Sequence, residues 1–166
     1  IQDRRAADIP QFTYNPTMPD IMHGFLGDTP LINGTPEAYF EVSRTLYRFR
    51  LLHGSNARLY KLAFSDRRPY HLITTDGGLK DQAVQVTSFF LSPGERTDIL
   101  VDFSPYTIGQ NVILKSLPFT APGTGTYRQG TEMNLMRFDI TGNTGSGGII
   151  PATMPPINYY NIADIK

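Results

Sequence analysis

The sequence predicts an all-β domain, a two-sheet sandwich followed by a long irregular C-terminal tail. Three observations predict it. Aromatic and turn-forming residues are frequent together, with 10 Phe and 9 Tyr beside 15 Gly and 13 Pro. Apolar and polar residues alternate over several short runs, the period of a half-buried strand. These runs recur at roughly 8–12-residue spacing between turn signals, giving about eight or nine strands, the pattern of a sandwich. The 166 residues suffice for one domain with a real core and are too few for two.

In chain order, residues 1–20 read as a short strand and then an irregular stretch broken by Pro10, Pro16 and Pro19. Asn33-Gly34 is the strongest short hairpin signal, because both positions accept φ > 0. Tyr39 to Val42 is expected as the returning strand. From Thr45 to Leu52 the alternation is clean, with Tyr47, Phe49 and Leu51 on one face and Arg48 and Arg50 on the other. His53 to Asn56 breaks that strand, and Leu59 to Phe64 resumes one. Tyr70 to Thr75 is a strand ended by Asp76-Gly77-Gly78, where glycine supplies φ > 0 as the chain reverses. Val84 to Leu91 is read as one strand, closed by Pro93-Gly94. Ile99, Val101 and Phe103 then share a face opposite Asp98 and Asp102. Val112 to Leu117 is apolar enough for a central strand, and Leu135 to Ile140 closes the sheet. Between them, residues 118–131 form a long Pro, Gly and Thr loop. No stretch shows helical periodicity. From Thr141 the composition changes to Gly-rich linker chemistry and then to a proline-punctuated tail. The expected division is a domain over 1–140 and a linker or tail over 141–166.

Composition excludes several chemistries. Lys+Arg and Asp+Glu are both 15, so neutrality gives no electrostatic reason to expect nucleic acid or an anionic membrane as partner. Cysteine is absent, which removes disulfides, thiolate metal sites and thiol catalysis. No apolar run approaches the roughly 20 residues of a membrane span. The opening Ile1-Gln2-Asp3-Arg4-Arg5 has no initiator Met and no leader pattern, and reads as the start of a mature or excised piece.

Candidate chemical residues are few. His23, His53 and His71 are the weak metal candidates, but none stand as H-x-H or H-x-x-H pairs. A type 1 copper needs a Cys thiolate with two His, so this chain cannot build one. No G-x-S-x-G elbow surrounds any serine. Glu95, Asp98 and Asp102 cluster in sequence, with the two aspartates on the solvated face of one strand. Gly77-Gly78 and Gly123-x-Gly125 lack the following helix of a phosphate loop. Asn33-Gly34-Thr35 matches a glycosylation sequon, but the tight turn accounts for it. No residue is assigned as catalytic.

Five strings appear in one order: Ile1-Gln2-Asp3-Arg4; Gly24-Phe25-Leu26-Gly27-Asp28-Thr29 with Leu31-Ile32-Asn33-Gly34; Tyr47 to Leu52 with Gly54-Ser55-Asn56-Ala57-Arg58; Asp76-Gly77-Gly78-Leu79; and Leu91 to Arg96 with Asp98-Ile99. Together they resemble the second, middle domain of multicopper oxidases of the bacterial and archaeal laccase, spore-coat and copper-efflux kind. The resemblance spans about 140 residues and implies a cupredoxin-like Greek-key β-sandwich. It implies a parent with three such domains, which couples one-electron oxidation of phenols or metal ions to reduction of dioxygen to water. The family's copper ligands lie in the first and third domains, so no cofactor is expected in this chain and copper in the parent.

The resemblance also implies sites. Phe25 and Leu26, with Phe119, Pro122, Gly123 and Tyr127 of the long loop, would line the parent's substrate pocket. The structural motif residues would be Asn33 and Gly34 in the hairpin, Asn56 capping the strand break, Asp76, Gly77 and Gly78 in a turn, and Glu95 with Arg96 as a pair pinning a strand end. Partners would be the first and third domains, and the excised chain would self-associate through the surfaces they cover. The parent would be secreted, periplasmic or at a spore or cell surface. Members of the family begin the opening strand a few apolar residues earlier, so the first edge is expected to be short of partners. Two other readings compete: a stand-alone sandwich that binds carbohydrate or protein through exposed Tyr and Phe, and a metal scaffold built on His23, His53 and His71.

Overall fold

The computed structural model describes residues 1–9, 11, 13–120, 129–143, 145 and 147–155. A small sheet comes first in the chain. It combines β1 (Gln2–Arg4), β2 (Thr29–Ile32) and β3 (Thr35–Pro36) in the order β1-β2-β3. Asn33 and Gly34 make the β2–β3 turn with φ of 50° and 83°, the two positive values a type I′ hairpin requires. The returning strand is therefore β3, and Tyr39 to Val42 is not part of the hairpin. Those residues open β4 (Tyr39–Ser43), which joins a different sheet and runs parallel to the last strand.

The stretch read as irregular contains a helix, α1 (Met18–His23), which the sequence reading missed. Its six residues are too few to show a helical period. The signal lay in its start: Thr17 and Asp20 stand three apart, as in a capping box, with Pro19 in the first turn.

The sandwich proper has two sheets. One holds β5 (Leu46–Leu52), β7 (Tyr70–Thr75), β8 (Gly78–Val86) and β10 (Arg96–Asp102), ordered β5-β10-β7-β8. The other holds β4, β6 (Tyr60–Phe64), β9 (Phe89–Leu91), β11 (Asn111–Ser116) and β12 (Met133–Gly142), ordered β4-β12-β11-β6-β9. The chain passes repeatedly from one sheet to the other, so most neighbours are distant in sequence. The described residues form twelve strands, more than expected. Part of the difference lies at Val84 to Leu91, which is not one strand. The chain leaves β8 at Val86, turns, and enters the opposite sheet as β9 beside β6. The signal for the switch lay in Thr87-Ser88, two successive polar residues that break the alternation between Val86 and Phe89.

The core lies between the sheets and is largely aromatic. Phe103 is fully buried, with ring centroids 5.3 Å from Phe138, 5.6 Å from Tyr47 and 5.8 Å from Tyr106. The alternation of β5 is observed: Tyr47, Phe49 and Leu51 pack on the core, while Arg48 on the outer face pairs with Asp98. A register shift between Leu114 and Lys115 skips Leu135, so Leu135 and the adjacent Met136 both turn inward. β12 runs on to Gly142, which pairs with Ser43, two residues into the segment expected as a linker. Further along, the Met154 amide donates to the Asp81 carbonyl of β8 at 3.1 Å, returning the tail to the sandwich.

Candidate functional site

Three irregular segments meet at one end of the sandwich: α1 with the following Gly24–Asp28, the break at residues 53–59, and the base of the long loop. Glycine makes the first junction possible. Gly24 ends α1 at φ 86°, and a Cβ there would collide with Ala57. A Cβ at Gly27 would lie 2.5 Å from the Arg4 backbone. Gln129 ties the loop base to the break. Its Oε1 accepts from the Leu59 amide at 3.1 Å, and its Nε2 donates to the Ala57 carbonyl at 3.0 Å. The Phe119 amide donates to the Gly130 carbonyl at 3.1 Å and closes the neck of the loop.

A buried polar clasp holds these segments. Arg58 Nε donates to Asp3 Oδ2 at 3.0 Å, with the two side chains 3% and 0% exposed. The same carboxylate oxygen accepts from the Gly27 amide, and Arg58 donates to the Gly27 carbonyl. One ion pair thus fastens β1, the Gly24–Asp28 segment and the break after β5. A second latch holds α1. Asp20 pairs with Arg5 and accepts from the Thr17 amide at 2.6 Å and the Thr17 hydroxyl at 2.7 Å. The Arg5 and Thr17 donors hold the Asp20 carboxyl down at about 2.

The candidate residues are placed as follows. Phe25 and Leu26 are 2% and 4% exposed, so in this chain they are packing residues beneath the surface. Arg5 and Tyr14 cover Phe25, at 4.8 Å and 5.7 Å from its ring centre. The apolar side chains that reach solvent beside them are Tyr14, Met18, Ile21 and Met22, each more than half exposed. Phe119 is half-buried and meets exposed Phe90 edge to face at 5.0 Å. Pro122, Gly123 and Tyr127 lie outside the described residues.

The histidines are dispersed. His23 is exposed at the end of α1, and His71 is half-buried on β7. His53 is buried, its ring 4.7 Å from that of Tyr60. Its Nδ1 accepts from the Ser55 amide at 3.2 Å, and its Nε2 has no partner among the described residues. Burial lowers its pKa and favours the neutral ring.

The motif residues also need one correction. Glu95 and Arg96 do not pair with each other. Arg96 pairs with Asp76 at 2.8 Å, and Glu95 accepts from the Ser92 amide at 2.6 Å to close its own turn. Successive strand residues point to opposite faces, so neighbours in sequence seldom bond side chain to side chain. Gly78 takes φ 112° in the β7–β8 turn. Asn56 is exposed, and Ser55 and His53 brace the break. Asp3, Arg58, Thr17, Asp20 and Gln129 were not singled out by sequence, apart from Asp3 and Arg58 as letters within the shared strings.

These residues do not fit a copper centre. The sequence offers no thiolate. Among the described residues no three His, Asp or Glu side chains gather around one point. Nor is any described helix long and apolar enough to cross a membrane.

No family model matches the chain. Among curated proteins it is 38% identical over 123 residues to a laccase of Bacillus subtilis, covering 74% of this chain and 23% of that protein. It is 45% identical over 104 residues to the cell division protein FtsP of Escherichia coli, covering 63% of this chain and 22% of that protein. Among solved structures, the McoA multicopper oxidase of the hyperthermophile Aquifex aeolicus superposes on 98% of this chain with a TM-score of 0.81 at 33% identity. The match takes in 35% of the McoA chain. The chain thus spans less than a quarter of these curated relatives and about a third of this structural one. With these relatives and with this sandwich, the chain belongs to the multicopper oxidase family and spans one of its cupredoxin domains.

Proposed function

We propose that this is the middle domain of a three-domain, laccase-like multicopper oxidase, a spacer and pocket wall that holds no copper of its own. The parent would take single electrons from phenols or metal ions and reduce dioxygen to water, and would work outside the cytoplasm. The observation that carries the reading is the clasped cap. It presents Tyr14, Met18, Ile21 and Met22 to solvent on an element fastened by two ion pairs. Exposed apolar side chains on a rigid mount suit a surface covered by a neighbouring domain or by an aromatic substrate. Alone, the chain would self-associate through such surfaces.

The purified chain given copper is expected to show no blue colour and no turnover of a phenolic dye. Turnover at the level of an intact oxidase would overturn the reading. In the full-length parent, Met18→Asp is expected to raise KM for a bulky phenol while the copper content stays unchanged.

A second reading is favoured by the higher identity to the cell division protein. In it, the parent serves division and not oxidation. The full coding sequence separates the two. An H-C-H string downstream of this chain supports the oxidase, and its absence supports the second reading.

A further inference from the structure

The break after β5 begins with a buried histidine. His53 is 1% exposed, and its ring lies 4.7 Å from that of Tyr60. Its backbone is fixed on both sides. The His53 amide donates to the Glu95 carbonyl at 3.0 Å, and the His53 carbonyl accepts from the Gly94 amide at 2.9 Å. Nδ1 accepts from the Ser55 amide at 3.2 Å, so the proton of the neutral ring sits on Nε2. That bond folds the chain at the head of the 53–59 segment. Further along, the same segment carries Arg58, which holds Asp3 and the Gly27 carbonyl. It also carries the Leu59 amide and the Ala57 carbonyl, which bond Gln129 at the base of the long loop.

We propose that His53 is a proton-operated release for this segment, and so for the clasp that fastens the cap. A proton taken from solvent by Nδ1 turns the acceptor of the Ser55 bond into a donor. Two donors facing each other at 3.2 Å cannot bond, and the new charge lies in a desolvated site. The ring then moves out to water, and the 53–59 segment loosens with it. The inference rests on the clasp and not on what covers the cap.

The groups around the ring set the direction. β1 brings Asp3 and the Ile1 amino group, the break brings Arg58, β6 brings Tyr60, and the turn before β10 brings Glu95. Glu95 turns its carboxylate to the Ser92 amide, and burial keeps the Tyr60 phenol protonated. Burial is the largest influence on His53 and lowers its pKa. The Arg58 carbonyl and the Asp3 carboxylate oppose it less strongly, and the charge of the Ile1 amino group adds to it. A base with a lowered folded value loses stability as the pH falls. The open state, with a pKa near the ordinary value of about 6.5, takes up the proton that the closed state refuses. The release therefore works from about pH 6.5 downward, well above the range in which Asp20 gives up its latch on α1.

The test follows the whole chain by nuclear magnetic resonance and amide hydrogen exchange from about pH 8 to about pH 5. The His53 ring is expected to carry its proton on Nε2 at the upper end and to titrate below 6.5. His53→Asn keeps an acceptor for the Ser55 amide and does not titrate. Relative to that variant, opening at the Ser55, Leu59 and Gly27 amides is expected to rise about tenfold between about pH 7.5 and pH 5.5, the ratio set by an open-state pKa near 6.5. The amides of Met18–His23 and of β11 are expected to stay level with the variant. Acetylation of the Ile1 amino group, which removes its charge, is expected to leave the release in place. A ring that titrates at or above 6.5 in the folded chain overturns the proposal without any variant. Equal opening of the wild type and His53→Asn overturns it too, as does opening that spreads to β11 at the same pH, or loss of the release on acetylation.

Discussion

The sandwich and the cap on its end are built by opposite means. In the sandwich, Phe103, Phe138, Phe64 and Tyr47 meet as rings between two sheets, with no charge among them. In the cap, Asp3, Arg58, Asp20 and Arg5 hold segments whose buried apolar side chains, among the described residues, are Phe25, Leu26 and Leu31. Ring packing is tolerant of pH and salt and is proportional to area. A buried ion pair is directional and costs several kcal/mol per charge to desolvate, so it specifies a geometry more than it stabilises one. The sandwich therefore supplies stability, and the cap supplies a fixed position for an exposed apolar surface.

The largest expected effect breaks the first half of that comparison. Phe103→Ala removes the ring that touches five other aromatic side chains. A loss of about 4 kcal/mol is expected in urea denaturation, a large share of a domain's total stability. A loss below about 1 kcal/mol would mean the aromatic cluster is not the core of the fold. Next is the clasp. Arg58→Met leaves the Asp3 carboxylate buried with the Gly27 amide as its remaining partner in the clasp, and about 3 kcal/mol should be lost. Adding Asp3→Asn removes the stranded charge and keeps an acceptor for Gly27, so much of that loss should return. If the double variant is no more stable than Arg58→Met, the penalty comes from lost packing by the arginine stem, and the cap is more like the sandwich than its charges suggest.

The two halves also differed in how far they could be read in advance. β5 and β10 were legible because one face of each packs on the aromatic core, so the period-two pattern is written in Phe49 and Leu51, Ile99 and Val101. The Asn33-Gly34 turn was legible because few other residue pairs accept its backbone angles. The fate of β4 was not, because parallel pairing with β12 is decided some hundred residues later in the chain. The cap was the least legible part. Its clasp joins Asp3 to Arg58 across 55 residues, and no local pattern announces a long-range ion pair. α1 left only its capping signal. Phe25 and Leu26 stand in the segment that resemblance pointed to, yet the structure buries them and exposes Met18, Ile21 and Met22. Sequence strings fix position along the chain, while exposure depends on which side of the segment the clasp pulls inward.

The smallest expected effect is the sharpest for the comparison, because it titrates one half and not the other. Asp20 has its carboxyl lowered from 3.8 to about 2, first by the Arg5 hydrogen bond and then by those from Thr17. A carboxyl with a depressed folded value contributes stability that is fully present above the unfolded value, and loses it as the pH falls through the folded one. Acid should therefore unlatch α1 between pH 4 and pH 2 while the aromatic core stays packed. Amide exchange within Met18–His23, followed from pH 5 downward against the near-ultraviolet dichroism of the core, reads both at once. Asp20→Asn should exchange faster than the wild type at pH 5 and match it at pH 2. Phe103→Ala should be destabilised by the same amount at both. If the helix and the core loosen together, the cap is not a separately held unit, and its exposed face is positioned by the sandwich and not by its own charges.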